Sequence, residues 1–278
     1  ASDVYKRQGS FGAGEMGYSS DADVQFVCEG DLEEATRIAA RVQKILNAPA
    51  SGIDMRVNAD LRPEGRSGPL VRPLASFDDY YAHHAERWER QALLRARCVA
   101  GPKELCVAVT RIMDRERYRP GEMDERERRD FARMKARIEG ERLPRGVRPS
   151  HHLKLGRGGT TDVEWCVQRL LLEHAGDDES LRTVGTLDAL GALERAGYLS
   201  PSDSHALRQA WLLAWELRRA LFLWRGRETD ALPTDLVDLR AIAALVREPL
   251  DNARAIEERY LKITRHSRQV AERLVFGE

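Results

Sequence analysis

The sequence predicts an α+β protein: a small mixed sheet with helices over about the first 75 residues, followed by a large all-helical bundle. Three observations predict this. Residues 22–28 read as a strand that follows a Gly/Ser-rich loop. Residues 53–62 alternate strictly between apolar and polar side chains. After Ser76 apolar residues recur at three- and four-residue spacing in one segment after another. A chain of 278 residues makes one large domain or two small ones. Lys plus Arg and Asp plus Glu both number 45, so no bulk positive charge is present to coat nucleic acid. No run approaches the ~18 apolar residues of a membrane span.

The chain begins ASDVYKRQ, without Met. A Gly-Ser loop follows directly, and such a loop normally has an apolar strand ahead of it. Here that segment carries Asp3, Lys6, Arg7 and Gln8. Residues 1–8 are therefore expected to be a non-native or truncated start, with Val4 and Tyr5 standing in for a lost strand. Asp31 with Glu34 reads as a capping box, and Leu32, Ala35, Ile38, Ala39, Val42, Ile45 and Leu46 form the stripe of the helix behind it. Residues 47–52 break that helix. Ile53, Met55, Val57, Ala59 and Leu61 then point one way, and Asp54, Arg56, Asn58, Asp60 and Arg62 the other, until Pro63 stops the strand. Helical periodicity covers 77–100, 103–116, 124–142, 161–175, 186–197, 202–225 and 251–275. The division expected is 9–75 for the α/β unit and 76–278 for the bundle. Cys28, Cys98, Cys106 and Cys166 form no CxxC pair and read as reduced structural thiols in a cytoplasmic setting. The five tryptophans fall on apolar stripes and read as core.

The chemistry concentrates between Gly9 and Val24: a Gly9-Ser10 pair, ten residues, then Asp21-x-Asp23 entering a strand. Glycines let backbone N–H groups approach phosphate oxygens, and a seryl hydroxyl adds a donor. Carboxylates at i and i+2 of a strand share a face and can hold a hard divalent cation. Two Mg2+ ions bridged by such groups bind a triphosphate and activate an incoming hydroxyl. A third carboxylate on the neighbouring strand would complete the site. Alternation puts Asp54, Asn58 and Asp60 on one face of the second strand. Arg62 and Arg66 suit triphosphate contacts through their planar forks. Glu15 reads as a brace for the loop.

Gly9-Ser10 with Asp21 and Asp23 resembles the nucleotidyltransferase superfamily that includes DNA polymerase beta. GEMGYSSDADVQFV, residues 58–72 (NADLRPEGRSGPLVR), WERQALLRAR, ARIEGERLPRG, HLKLGRGGTTDVEW and RGRETDALP, in that order, resemble the glutamine synthetase adenylyltransferase family. The similarity runs from residue 9 to the end and is strongest to the family's C-terminal catalytic half. It implies AMP transfer from ATP to a tyrosine of glutamine synthetase. It implies phosphate binding by Gly9 and Ser10, Mg2+ on Asp21 and Asp23, and the partners glutamine synthetase and a PII-type nitrogen signal protein. The family reads Val-Asp-x-x-Leu-Arg-Pro where this chain has Val57-Asn58-Ala59-Asp60-Leu61-Arg62-Pro63, so the family's third carboxylate is Asn58 here, with Asp60 two residues on. Two other readings stand beside transfer: a catalytically impaired docking or regulatory fragment, and phosphorolytic removal of AMP from the same tyrosine.

In the helical part, residues 151–159 (HHLKLGRGG) form a basic, Gly-rich turn ahead of a helix that opens with Thr161 and Glu164. Lys154 and Arg157 are its candidates for nucleotide or partner contacts. Asp162 and Glu164 read as dipole partners at the helix start.

Overall fold

A computed structural model of the chain describes residues 2–7, 12–18, 20–48, 56–247, 252 and 254–277, for residues 2–7 the backbone alone. The chain divides into two compact units, Ala1–Gly121 with His174–Gly185, and Glu122–Glu173 with Thr186–Glu278.

The first unit is built on a five-stranded mixed sheet: β1 (Ser2–Arg7), β2 (Ala22–Glu29), β3 (Val57–Asn58), β4 (Val71–Pro73) and β5 (Arg97–Ala100). The strand order is β3-β2-β1-β5, with β4 also paired to β2. β1 runs antiparallel to β2 and β5, while β3 and β4 run parallel to β2. The strand position thought lost is thus filled by Ser2–Arg7, whose backbone pairs on both edges despite its polar sequence.

Alternation along β2 sorts the two faces of the sheet. Ala22, Val24, Phe26 and Cys28 pack with Val57, Ala59, Val71 and with Ala35 and Ala39 of α1 (Leu32–Leu46). Asp31 caps α1 by accepting from the N–H groups of Glu33 and Glu34. Asn47, at the other end of α1, exchanges two hydrogen bonds with the Val57 backbone and so ties the helix terminus to β3. On the opposite face Val27 packs against Phe77, Tyr80 and Tyr81 of α2 (Leu74–His83), Leu93 of α3 (Arg87–Leu93), and Leu105, Val109 and Met113 of α4 (Lys103–Arg117). Because α2 and α4 bury their apolar sides on this sheet face, the compact unit runs on past residue 75 to Gly121.

The single helix expected over 77–100 is three elements. His84 ends α2, a reciprocal cap between Glu86 and Glu89 starts α3, and Arg97–Ala100 becomes an edge strand because β1 offers it backbone partners. The strand expected over 53–62 is Val57–Asn58 among the described residues, and 51–55 lie outside them.

The second unit holds α5 (Glu125–Glu141), α6 (Thr160–His174, whose last residue groups with the first unit), α7 (Thr186–Arg195), α8 (Pro201–Arg225), α9 (Leu236–Leu245) and α10 (Ala255–Ala271). Leu213, Leu217 and Leu221 of α8 pack against Leu239 and Ile242 of α9 and Ile256 and Tyr260 of α10. α9 was not expected from the sequence. Its ten residues are apolar almost all round, which blurs the helical period, but Asp235 caps its start. Trp165 and Trp211 are core residues, whereas Trp88 and Trp224 are largely exposed and donate to Glu86 and Asp238. The four cysteines are free thiols. Among the described residues no helix is long and apolar enough to cross a membrane.

Candidate functional site

The site face is the β2 face opposite α1. Along it exposure falls in order: Asp21 is exposed, Asp23 half-buried, Gln25 1% exposed and Val27 fully covered. The Gln25 carboxamide donates to the Leu61 carbonyl and, at 3.4 Å, to the Tyr81 hydroxyl, forming a polar floor beneath the two carboxylates. Asp23 and Asn58 are register partners on parallel strands. Val57 is committed to the opposite core, so Asn58 shares the face of Asp23 at about the 4.8 Å strand spacing. Asp21 is the residue directly ahead of β2.

Asp60 lies just beyond, in the turn after β3. The Asn58 side chain accepts the Asp60 N–H at 2.8 Å, which bends the chain and ends the alternation. The Asp60 carboxylate turns to Arg66, whose Nε and Nη2 approach Oδ2 at 2.7 and 2.6 Å, with Arg62 at 3.9 Å from Oδ1. The Arg66 hydrogen bond and charge hold the Asp60 carboxyl below the usual carboxylate range. Among the described residues no three His, Cys, Asp or Glu side chains are gathered as a group that could hold a metal ion. Arg62 is turned inward as well. It donates to the carbonyls of Gly68, Ala59 and Arg66 at 3.0, 2.8 and 3.0 Å and so closes the loop that follows the strand.

Gly9, Ser10 and Asp54 lie outside the described residues. The loop between Ser10 and Asp21 is anchored where it is described. Glu15 pairs with Arg95 at 2.7 Å in a largely buried contact, as a brace would, and Met16 packs against the α1-side core. The Gly17 N–H donates to Ser20 Oγ at 2.9 Å and the Ser20 N–H returns to the Gly17 carbonyl at 3.2 Å. This turn delivers the chain to Asp21.

Lys154 and Arg157 belong to the second unit and are exposed on a tightly built turn. Leu153 donates to the Asp230 carbonyl at 2.7 Å, Leu232 donates to the His151 carbonyl at 2.8 Å, and His152 Nδ1 accepts from Lys154 and Leu155. Burial pushes the His152 imidazole below its ordinary value, consistent with a neutral ring accepting backbone N–H groups. Asp162, in the first turn of α6 as a dipole partner would be, is completely buried. It accepts from the equally buried Lys135 at 2.5 Å, from Gly158 N–H at 2.7 Å and from Arg268 at 3.2 Å, while Glu139 joins Lys135 and Arg268 at 2.5 and 2.8 Å. Sequence reasoning missed this network, because Lys135 sits inside a charge run that reads as a solvated helix face. The only signal was its i,i+4 spacing to Glu139.

A mixed sheet with paired aspartates entering a strand, in a chain that continues into a helical unit, is consistent with a nucleotidyltransferase-type fold. Comparison with known proteins narrows the class. Residues 8–112 match the family model for glutamate-ammonia ligase adenylyltransferase, and residues 132–275 match the one for GlnD PII-uridylyltransferase. A bifunctional glutamine synthetase adenylyltransferase/adenylyl-removing enzyme from Nocardia farcinica is 46% identical over 97% of this chain. Enzymes of the same name from Mycobacterium leprae and Mycobacterium tuberculosis are each 44% identical over the same share. The chain spans 28% of the length of these relatives. Over nearly its whole length the chain is thus similar to bifunctional glutamine synthetase adenylyltransferase/adenylyl-removing enzymes.

Proposed function

We propose that the first unit transfers AMP from ATP to a tyrosine hydroxyl of glutamine synthetase. The observation that supports this reading is the register pairing of Asp23 with Asn58 on adjacent parallel strands, with Asp21 directly ahead of β2, in a chain 46% identical to a relative named for this activity. The oxygen-only donors suit a hard cation. Two carboxylates with remaining positions left to phosphate oxygens fit one Mg2+, held by Asp21 and Asp23. When bound, that ion would neutralise phosphate charge and polarise the α-phosphorus. Gly9 and Ser10 would present N–H and O–H donors to the phosphates. The tyrosine oxygen forms a bond to the α-phosphorus, the bond to the bridging oxygen breaks, pyrophosphate departs, and the tyrosine proton is released. Gln25 keeps the floor of the site rigid, so that positioning rather than covalent chemistry carries the catalysis.

One observation favours the docking reading instead. Asn58 is neutral and its oxygen is already engaged by the Asp60 N–H, so it neither offsets metal charge nor accepts the tyrosine proton. The assay is incubation of the chain with ATP, Mg2+ and glutamine synthetase, read by mass spectrometry for the AMP adduct. An adduct on tyrosine that disappears in Asp23→Asn supports transfer. No adduct from the chain or from Asn58→Asp, together with retained binding to glutamine synthetase or a PII-type protein, would establish the docking role. Loss of AMP from adenylylated glutamine synthetase in the presence of phosphate would establish the reverse reaction.

A further inference from the structure

The segment between β3 and β4 is a rigid strap from which a single guanidinium projects. Arg62 locks it through three backbone carbonyls and is only 14% exposed. Glu64 takes a left-handed backbone at φ 64° and its N–H donates to the Tyr80 hydroxyl at 3.3 Å. The Glu64 carboxylate pairs with Arg72 at 3.2 Å, and Arg72 lies over the Tyr80 ring. Gly68 is packed so closely that a Cβ there would come within 2.1 Å of the Pro63 carbonyl oxygen. Arg66 behaves differently, with its side chain 84% exposed. Nε and Nη2 both converge on Asp60 Oδ2, which uses one edge of a five-donor fork and leaves the others directed away from the carboxylate.

The strap is also linked to the acidic face. The Asp60 N–H donates to Asn58 Oδ1, and Asn58 is the register neighbour of Asp23. Two successive hydrogen-bonded steps thus connect Arg66 to β3, the strand that pairs with β2 beside Asp23. A free arginine loses rotamer entropy when its guanidinium is immobilised, and a fork fixed in advance loses less of it on meeting a phosphate.

Resting on the nucleotidyl-transfer reading above, we infer that Asp60 is a positioning residue rather than a metal ligand: it presets Arg66 as a fork for the β- and γ-phosphates of the nucleotide, the part that leaves. The ligand chemistry is a polyphosphate, with no demand on the base.

The test is calorimetry of the full chain with Mg-ATP and, separately, with magnesium tripolyphosphate, which lacks the nucleoside. Arg66→Ala removes an exposed side chain and is expected to leave the melting temperature unchanged while weakening both probes about tenfold, the size of one lost charge-assisted contact. The isosteric Asp60→Asn is expected to weaken both about three- to tenfold, and to add nothing in the Arg66→Ala background. The Mg2+ concentration needed for half-maximal ATP binding stays within twofold in both. The inference is overturned if Arg66→Ala leaves both affinities unchanged. It is equally overturned if Asp60→Asn moves the Mg2+ midpoint tenfold, or weakens binding as much without Arg66 as with it, since that is how a metal ligand behaves. Wild-type binding with silent variants sinks this inference alone. Absence of Mg-ATP binding by both the wild-type chain and Asn58→Asp sinks the nucleotidyl-transfer reading and the inference together.

Discussion

Replacing Lys135 by Met should test whether the second unit depends on its buried charge network. Lys135 and Asp162 are both completely inaccessible, and their 2.5 Å contact is the shortest that Asp162 makes. Removing one partner of a buried pair costs about 3–5 kcal/mol, because the other charge remains without its counterion. Here Asp162 keeps Gly158 N–H at 2.7 Å and Arg268 at 3.2 Å, and Glu139 keeps Arg268 at 2.8 Å. That places the loss near the lower end, about 3 kcal/mol, or roughly 150-fold in the folded-to-unfolded ratio. At ~2–4 °C per kcal/mol the melting temperature should fall by about 6–12 °C. Urea titration followed by tryptophan fluorescence is the assay, since Trp165, Trp211, Trp215 and Trp224 all lie in this unit. The partner variant Lys135→Met/Asp162→Asn removes the orphaned charge while keeping an acceptor for Gly158, and should recover about 1–2 kcal/mol. A loss below ~1 kcal/mol in Lys135→Met, or a double variant less stable than the single one, would refute the reasoning.

Gly158→Ala should destabilise the second unit by roughly 2–4 kcal/mol, because φ is +76° and the new Cβ would meet the Thr264 carbonyl oxygen at 1.9 Å. Gly197→Ala, with φ +80° and nothing within 4 Å, should lose only ~1 kcal/mol, and chemical denaturation of the two variants separates steric overlap from backbone strain. Burial lowers the His152 pKa in the fold below the ~6.5 of its unfolded counterpart, so the unfolded chain binds more protons as pH falls and stability should drop below about pH 6.5. His152→Asn, which keeps an acceptor for the Lys154 and Leu155 N–H groups, should flatten that dependence in melts taken between pH 5 and pH 8. Asn58→Asp should raise AMP transfer by at least about tenfold by placing a third carboxylate beside Asp23. An unchanged rate would show that the neutral amide does not limit the reaction.

The sequence determined what is local and periodic. Alternation was enough to expect Asp21 and Asp23 on one face and Val57 and Asn58 on opposite faces of their strand, and Val57 does enter the core while Asn58 pairs in register with Asp23. The stripe behind Asp31 marked α1, and the ordered motifs pointed to the enzymes to which the comparisons find the chain similar. Tertiary structure decided matters that depend on what lies opposite. Residues 97–100 have a helical pattern with their neighbours but form a strand, because β1 supplies a hydrogen-bonding edge. Asp60 keeps the alternation on paper, yet the Asn58 side chain turns the backbone and Arg66 captures the carboxylate. Lys135 and Asp162 each look solvated in their own helix, and only packing of α5, α6 and α10 removes both from water and makes them partners. Side-chain period is a property of a few consecutive residues, whereas burial and pairing are set by segments distant in sequence. For this reason the face of each aspartate could be read from the chain and the engagement of Asp60, Arg62 and Asp162 could not.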